Sequence, residues 1–492
     1  MKHLKKLTIL HSNDMHGDFL SRNVDHQLLG GVSMLSGYIQ KTRQENENVI
    51  YAVAGDMFRG SLIDSEFKGI STIEIMNLLS PDVVTLGNHE VDYGLAHLLF
   101  VEKCAKFPII NANMYITVNH KRLFRSHLIL RVGGMKILFI GLLTEEVLNS
   151  TRQDKLIGSL VDVEEAAREV GRICNSYRTT DIDFTVLLTH IGIESDKQLA
   201  AMLDPRWGVD IIIGGHSHTL LKEPVIVAGI PIVQAAVGTA QIGRFDIMVD
   251  TDRNCIDSYR WELVPIDSDH CPRDTALETV ITKYKTLTDA KYGRIVTRFM
   301  DKYTHPARNM PTDLGGIFAD ALREGMDMDV MFLASGSIRK KELGPIVRLQ
   351  DLMETFPFAQ ELVQITVTGS QLRRMVRYLL RPEAFTGRTE FYQFSKGFLV
   401  RYNRETQALE ELSLNGEAIT DDQKIRIGLQ AYHADNLPDF FGITKEEVLE
   451  NGEFCELATD CTDLVEEYFN THKLIRADPV PRLVFTELAD AN

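Results

Sequence analysis

Five short apolar runs in the first 218 residues each end on side chains able to ligate a hard divalent metal. They close in Asp14 and His16, in Asp56, in Asn88 and His89, in His190, and in His216 and His218. Runs of Val, Ile and Leu only a few residues long read as strands buried on both faces of a parallel sheet. Open α/β sheets bind ligands beyond the carboxyl ends of their strands, so the pattern gathers His, Asp and Asn side chains along one sheet edge. That geometry suits a metal-dependent hydrolase.

With 492 residues the chain is too long for one ordinary core and is expected to form two domains. Lys plus Arg number 53 against 69 Asp plus Glu, a formal charge of −16. An acidic surface without a basic stripe excludes a nucleic-acid polymer as partner and leaves room for a small phosphorylated molecule held by metals and local arginines. The six cysteines (Cys104, Cys174, Cys255, Cys271, Cys455 and Cys461) show no CxxC or disulfide-framework spacing, which points to a reducing, cytoplasmic interior. The start MKHLKKLTIL is basic and then briefly apolar; its apolar stretch is too short for a secretion signal. No segment approaches the roughly 18 apolar residues of a membrane span, so no membrane partner is expected. The chain is expected to be a monomer or homodimer.

Strands are expected over residues 7–11, 49–54, 83–86, 107–110, 128–132, 136–140, 184–188, 209–213, 230–234 and 243–249, with a helix over 31–44. Helices interspersed with many strands imply a layered α/β sheet sandwich flanked by helices. Residues 274–292 are polar and helix-favouring, so 268–298 is assigned to a linker helix between a first domain, 1–267, and a second α/β domain, 299–492. In the second, helices are expected near 315–325 and 369–380.

A lone DxH or Gly-Asp pair is an ordinary turn sequence. Here SNDMHG (12–17), GDMFRGS (55–61), GNHEVDYG (87–94), THIG (189–192) and GGHSHT (214–219) occur in order, and a structural origin would require five separate coincidences. Carboxylate, imidazole and amide donors suit Mn²⁺, Zn²⁺ or Mg²⁺, and the lack of Cys ligands argues against a structural zinc. The series resembles the calcineurin-like metallophosphoesterases, and more narrowly the 5′-nucleotidase and 2′,3′-cyclic-nucleotide phosphodiesterase family. That resemblance implies a four-layered β-sandwich with a smaller 5′-nucleotidase-type C-terminal domain. It also implies one metal on Asp14, His16, Asp56 and His218 and a second on Asp56, Asn88, His190 and His216, with Asp56 bridging. Two such ions about 3.5–4 Å apart share a hydroxide that attacks phosphorus and clamp the attacking and leaving oxygens. His89 and Asp92 resemble the family's catalytic pair, His89 stabilising a phosphoryl oxygen or protonating the leaving group while Asp92 holds its ring; the alternative for Asp92 is an ordinary loop acid. Glu90 is left to a structural role.

The resemblance continues into the second domain. Arg308 and Arg339, the latter within SGSIRKKELGPI (335–346), match arginines that reach the substrate in the family, and guanidinium forks suit phosphate oxygens. DLMETFPF (351–358) also fits, its Pro-Phe pair read as structural. Phe391 and Phe441 match the two aromatic residues that sandwich a nucleobase. Ala334 stands where the family has an asparagine, Pro311 replaces a frequent acidic residue, and the Gly-Gly-Asp-Gly turn is missing before Phe441. The implied activity is release of phosphate from a nucleotide-like substrate, with the second domain rotating to carry it to the metals. Cleavage of 2′,3′-cyclic nucleotides or nucleotide diphosphate derivatives is the alternative, and a non-catalytic metal-binding scaffold the alternative of another class.

Overall fold

The computed structural model describes residues 3–24, 26–116, 121–144, 157–160, 162–357 and 359–486; Phe358 lies outside them. The chain divides into compact units at Thr288/Asp289.

In the first unit one sheet runs in the order Cys255–Pro265, Gln241–Asp250, Leu4–Ser12, Val49–Ala54, Val83–Thr85, Ile109–Ile110. Its last four strands are parallel and its first two form an antiparallel hairpin on the edge. The second sheet runs Val225–Val227, Ile230–Val233, Ile211–Ile213, Phe184–His190, Met135–Leu143, His127–Val132. Its four inner strands are parallel and both edges antiparallel.

Side chains alternate across each strand, and here both faces are apolar because each is covered. Ile50, Ala52 and Ala54 share one core with Ile137, Phe139, Val186, Leu188, Ile211 and Ile213 of the other sheet. Tyr51 and Val53 turn the opposite way, packing with residues of helices Val32–Glu45, Ile70–Leu79 and Leu95–Cys104. Leu138, Ile140, Leu187 and Ile212 do the same against helices Val163–Ser176 and Ile193–Met202. The result is four layers, helix, sheet, sheet, helix. A one-residue slip of Val49–Ala54 would exchange its two faces, so burial fixes the register and with it the point where Asp56 leaves the sheet. The single sheet edge expected from the sequence is therefore two: three of the five runs end in the first sheet and two in the second.

Residues 268–288 do not form a free linker. Asp274 N–H donates to the Ser33 carbonyl, and Leu277, Ile281 and Tyr284 of helix Thr275–Tyr292 enter the first unit's core. The unit boundary falls inside this helix.

The second unit holds a five-stranded sheet, Tyr392–Phe394, Val330–Ala334, Lys424–Gln430, Leu362–Thr368, Cys455–Ala458, and a four-stranded one, Glu417–Ala418, Ala408–Leu414, Phe398–Asn403, Leu483–Thr486. Helix Asp313–Arg323 starts on Thr312, whose hydroxyl accepts the Gly315 N–H at 3.0 Å. Helix Gly369–Leu379 starts on a Thr368/Gln371 capping box. Both satisfy N–H groups that a bare helix start leaves unpaired.

Candidate metal centre and substrate cavity

Each ligand loop begins where a strand of the first unit stops. The loops are then locked together: Asp14 N–H donates to the Gly55 carbonyl (3.1 Å), His16 N–H to that of Asp56 (3.0 Å), and Gly192 N–H to that of Gly215 (3.2 Å). Asp14, His16, Asp56, His216 and His218 all have positive φ, between 47° and 77°. Such backbone is costly for non-glycine residues and persists only where the surroundings enforce it.

The side chains converge in two overlapping groups. In the first, His16 Nε2 lies 3.1 Å from His218 Nε2, 3.9 Å from Asp14 Oδ1 and 3.8 Å from Asp56 Oδ2. In the second, His190 Nε2 lies 3.2 Å from Asp56 Oδ2 and 3.2 Å from Asn88 Oδ1, and His216 Nδ1 is 2.8 Å from the same Asn88 oxygen. Asp56 Oδ2 faces both groups. Asp14, Asp56 and His190 are buried, and the ring of His16 is 16% exposed.

The donor set fits divalent cations. His190 Nδ1 is 2.7 Å from the Ala54 carbonyl and His16 Nδ1 is 3.1 Å from that of Phe58, so Nδ1 of each ring is committed to a carbonyl and Nε2 is turned to the carboxylates. His16 Nε2, His218 Nε2 and Asp14 Oδ1 lie 3.1 to 3.9 Å from one another, close enough to ligate one cation. Burial alone would lower the pKa of His190; the adjoining Asp56 carboxylate overrides it and holds the ring at about 9. Burial pushes Asp56 up, but His190 and the His89 N–H bring it well below the usual carboxylate range.

His89 and Asp92 sit beside this centre on the turn that follows Val83–Thr85. His89 Nδ1 is 2.7 Å from Asp92 Oδ2, and this bond raises the His89 pKa. His89 N–H donates to Asp56 Oδ1 at 3.0 Å, and its ring is grouped with His16 and Asp56 as a further set of converging donors. Glu90, 1% exposed, accepts N–H groups from Asp56, Met57, Phe58 and Gly87. Burial pushes its carboxyl up to about 7. Glu90 thus ties one ligand loop to the next.

No sequence pattern singles out Arg59, whose Nε donates to Asp92 Oδ2 at 2.7 Å. An arginine following Gly-Asp-Met-Phe is unremarkable until the fold brings two loops together.

In the second unit a cavity of about 610 Å³ is lined by Arg308, Arg388, Glu390, Phe391 and Phe440 among others. Arg339 is exposed, and its charge and that of Arg308 both act on the Glu390 carboxyl. Burial raises the Glu390 pKa, against the Gly336 N–H that it accepts at 2.8 Å. Phe391 borders the cavity while 2% exposed. Phe441 does not: it is fully buried, with Tyr392 at 5.0 Å and Phe332 at 6.5 Å between ring centroids. Phe441, expected beside a nucleobase, thus lies in the core of this unit, and its neighbour Phe440 lines the cavity.

Fold and donor set together define a metal-dependent phosphoric-ester hydrolase. Residues 7–220 match the calcineurin-like phosphoesterase family and residues 288–441 the 5′-nucleotidase C-terminal domain family. The chain belongs to the calcineurin-like phosphoesterases of 5′-nucleotidase type. It is 27% identical to a 5′-nucleotidase of Mus musculus, across 98% of this chain and 91% of that protein. It is 28% identical to the protein 5NUC of Lutzomyia longipalpis, across 81% and 77%. A 5′-nucleotidase precursor from Thermus thermophilus shares the fold with a TM-score of 0.65 at 21% identity, covering 98% of this chain and 99% of that one.

Proposed function

We propose that this hydrolase releases phosphate from nucleoside monophosphates, with Asp14, His16, Asp56 and His218 holding one divalent ion and Asp56, Asn88, His190 and His216 a second. The observation that carries the reading is Asp56 Oδ2, which faces both imidazole groups at 3.8 and 3.2 Å. When bound, such ions supply an activated water and neutralise charge on the phosphoryl oxygens; Mn²⁺, Zn²⁺ and Mg²⁺ all suit the donors. His89 presents Nε2 to the phosphoryl or leaving oxygen while Nδ1 stays on Asp92, which fixes the ring and supports its basicity. Glu90 keeps the loops of Asp56 and Asn88 in step. The second unit takes the nucleoside: Arg308 and Arg339 meet phosphate oxygens, and Phe391 and Phe440 flank the base. A reducing compartment is the reading of six cysteines without disulfide-framework spacing.

The test is a screen of purified, Mn²⁺-loaded protein against nucleoside mono-, di- and cyclic phosphates. Nucleoside monophosphates are expected to rank first. Their ranking last transfers the assignment to cyclic or diphosphate substrates and spares the metal centre. Fewer than two ions bound per chain, with no hydrolysis of an aryl phosphate, leaves a scaffold. His89→Ala is expected to keep the parent's metal content and lose about 10²–10⁴ in turnover; undiminished turnover at equal metal content removes His89 from the chemistry.

A further inference from the structure

The loop that carries Asp56 continues into Arg59, whose backbone has φ of 64°. A non-glycine residue adopts this left-handed conformation only where its surroundings hold it. What holds Arg59 is Asp64, fully buried, whose Oδ2 accepts the Arg59 N–H at 2.9 Å. The same oxygen accepts the Tyr93 hydroxyl at 3.2 Å, and Oδ1 takes the Thr72 hydroxyl. The Arg59 side chain then reaches the residue before Tyr93. Its Nε donates to Asp92 Oδ2 at 2.7 Å, the oxygen that also lies 2.7 Å from His89 Nδ1.

Asp92 and Tyr93 are thus both tied to Arg59, one through the guanidinium and one through the shared Asp64 carboxylate. An ordinary ion pair on a surface arginine, 53% exposed here, contributes little and needs no strained backbone. The strain is intelligible if the pair serves the neighbouring chemistry. A carboxylate bonded to one imidazole alone turns about its last torsion. A second charge-assisted donor on the same oxygen settles which oxygen faces the ring.

We propose that Arg59 is a positioning residue: it pins the Asp92 carboxylate on His89 Nδ1 and so fixes the imidazole against the metal centre. The assignment rests on His89 and Asp92 acting as the catalytic pair. A planar guanidinium with Nε committed to one oxygen fits this role, whereas an ammonium supplies the charge without the fixed direction.

The experiment compares the full-length, metal-loaded parent with Arg59→Ala, Arg59→Lys, Asp92→Ala and the Arg59→Ala/Asp92→Ala double variant. It records kcat and KM on a nucleoside monophosphate, together with bound metal and melting temperature. Arg59→Ala is expected to lower kcat about tenfold, the low end for loss of a group that orients a site residue, with KM, metal content and melting temperature at parental values. Arg59→Lys is expected to recover part of that loss. In the Asp92→Ala background, removing Arg59 is expected to change kcat by less than about twofold, because a residue acting only through a second has nothing left to act on. Three results overturn the proposal: parental kcat in Arg59→Ala while Asp92→Ala is impaired, an effect confined to KM, or an undiminished tenfold loss in the Asp92→Ala background. Parental kcat in both single variants instead removes the catalytic-pair reading on which the proposal rests.

Discussion

His11 is a buried polar side chain without a hydrogen-bond partner among the described residues, and replacing it should stabilise the protein in a pH-dependent way. It follows Leu7 and Ile9 on the face of strand Leu4–Ser12 that looks into the core between the sheets. The side chain is fully buried, stacked on Trp261 at 5.4 Å, and neither ring nitrogen has a hydrogen-bond partner among the described residues. Gly243 opposite leaves the room it occupies. Burial lowers its pKa from 6.5 to about 3, so the native state keeps the ring neutral while the unfolded chain protonates it. A depressed basic group costs nothing above the unfolded pKa, and stability is lost as pH falls from 6.5 toward 3. At pH 5 the unfolded chain favours the protonated form by roughly 30-fold while the native ring is still neutral, a penalty of about 2 kcal/mol that is nearly absent at about pH 7.5. His11→Leu removes that penalty and also the cost of an unpaired buried polar group, about 1–3 kcal/mol at any pH. Urea unfolding followed by tryptophan fluorescence measures it, because both tryptophans, Trp207 and Trp261, lie in the first unit. EDTA in both samples removes metal-linked protonation. The advantage of His11→Leu over the parent should grow by about 2 kcal/mol between about pH 7.5 and pH 5. An advantage that is the same at both pH values would refute the neutral, dry environment assigned to His11.

The remaining expectations concern the site itself. A Cβ on Gly87 would overlap the Asp56 carboxylate and backbone nitrogen, so Gly87→Ala should displace the residue shared by both donor groups. Elemental analysis after loading should find fewer ions than in the parent, and aryl phosphate hydrolysis should fall about 100-fold, the scale of a disturbed ligand set; full metal content would contradict the placement of Asp56. Phe440→Ala should raise KM about tenfold for nucleotides, the scale of one lost stacking partner, and leave glycerol phosphate hydrolysis unchanged. Phe441→Ala should instead cost about 3–5 kcal/mol of stability in chemical denaturation, as for other buried phenylalanines; a KM effect without destabilisation would return Phe441 to the cavity.

What the sequence conveyed and what it withheld follow one physical division. Strand Val49–Ala54 has the bounds expected of it, and all seven expected ligands converge, because each motif is written contiguously where a strand stops. A signal carried by adjacent residues needs no knowledge of the neighbouring element. Which sheet a strand joins is a different kind of fact: parallel strands covered on both faces look alike whether their neighbours form one sheet or two. Phe440 and Phe441 are adjacent in sequence and indistinguishable by type, yet helix Leu437–Phe441 turns one into the core and leaves the other at a cavity. Helix Thr275–Tyr292 carries a usable signal of its packing, since Leu277, Ile281 and Tyr284 are spaced by four and three and so share one face.

Arg59 marks the limit of that division most clearly. Its identity as a positioning group depends on Asp64, Asp92 and Tyr93, from 5 to 34 residues away, and on a backbone conformation that no propensity favours. The same holds for Glu90, whose four N–H partners lie on two different loops. Ligands are thus legible one loop at a time, whereas the groups that hold those ligands in register belong to pairs of loops and exist only once the sheets have packed. It follows that substitutions at Arg59, Gly87 or Glu90 should disturb this site even though none of the three is a ligand, Gly87 and Glu90 through the loop of Asp56 and Arg59 through the Asp92–His89 pair.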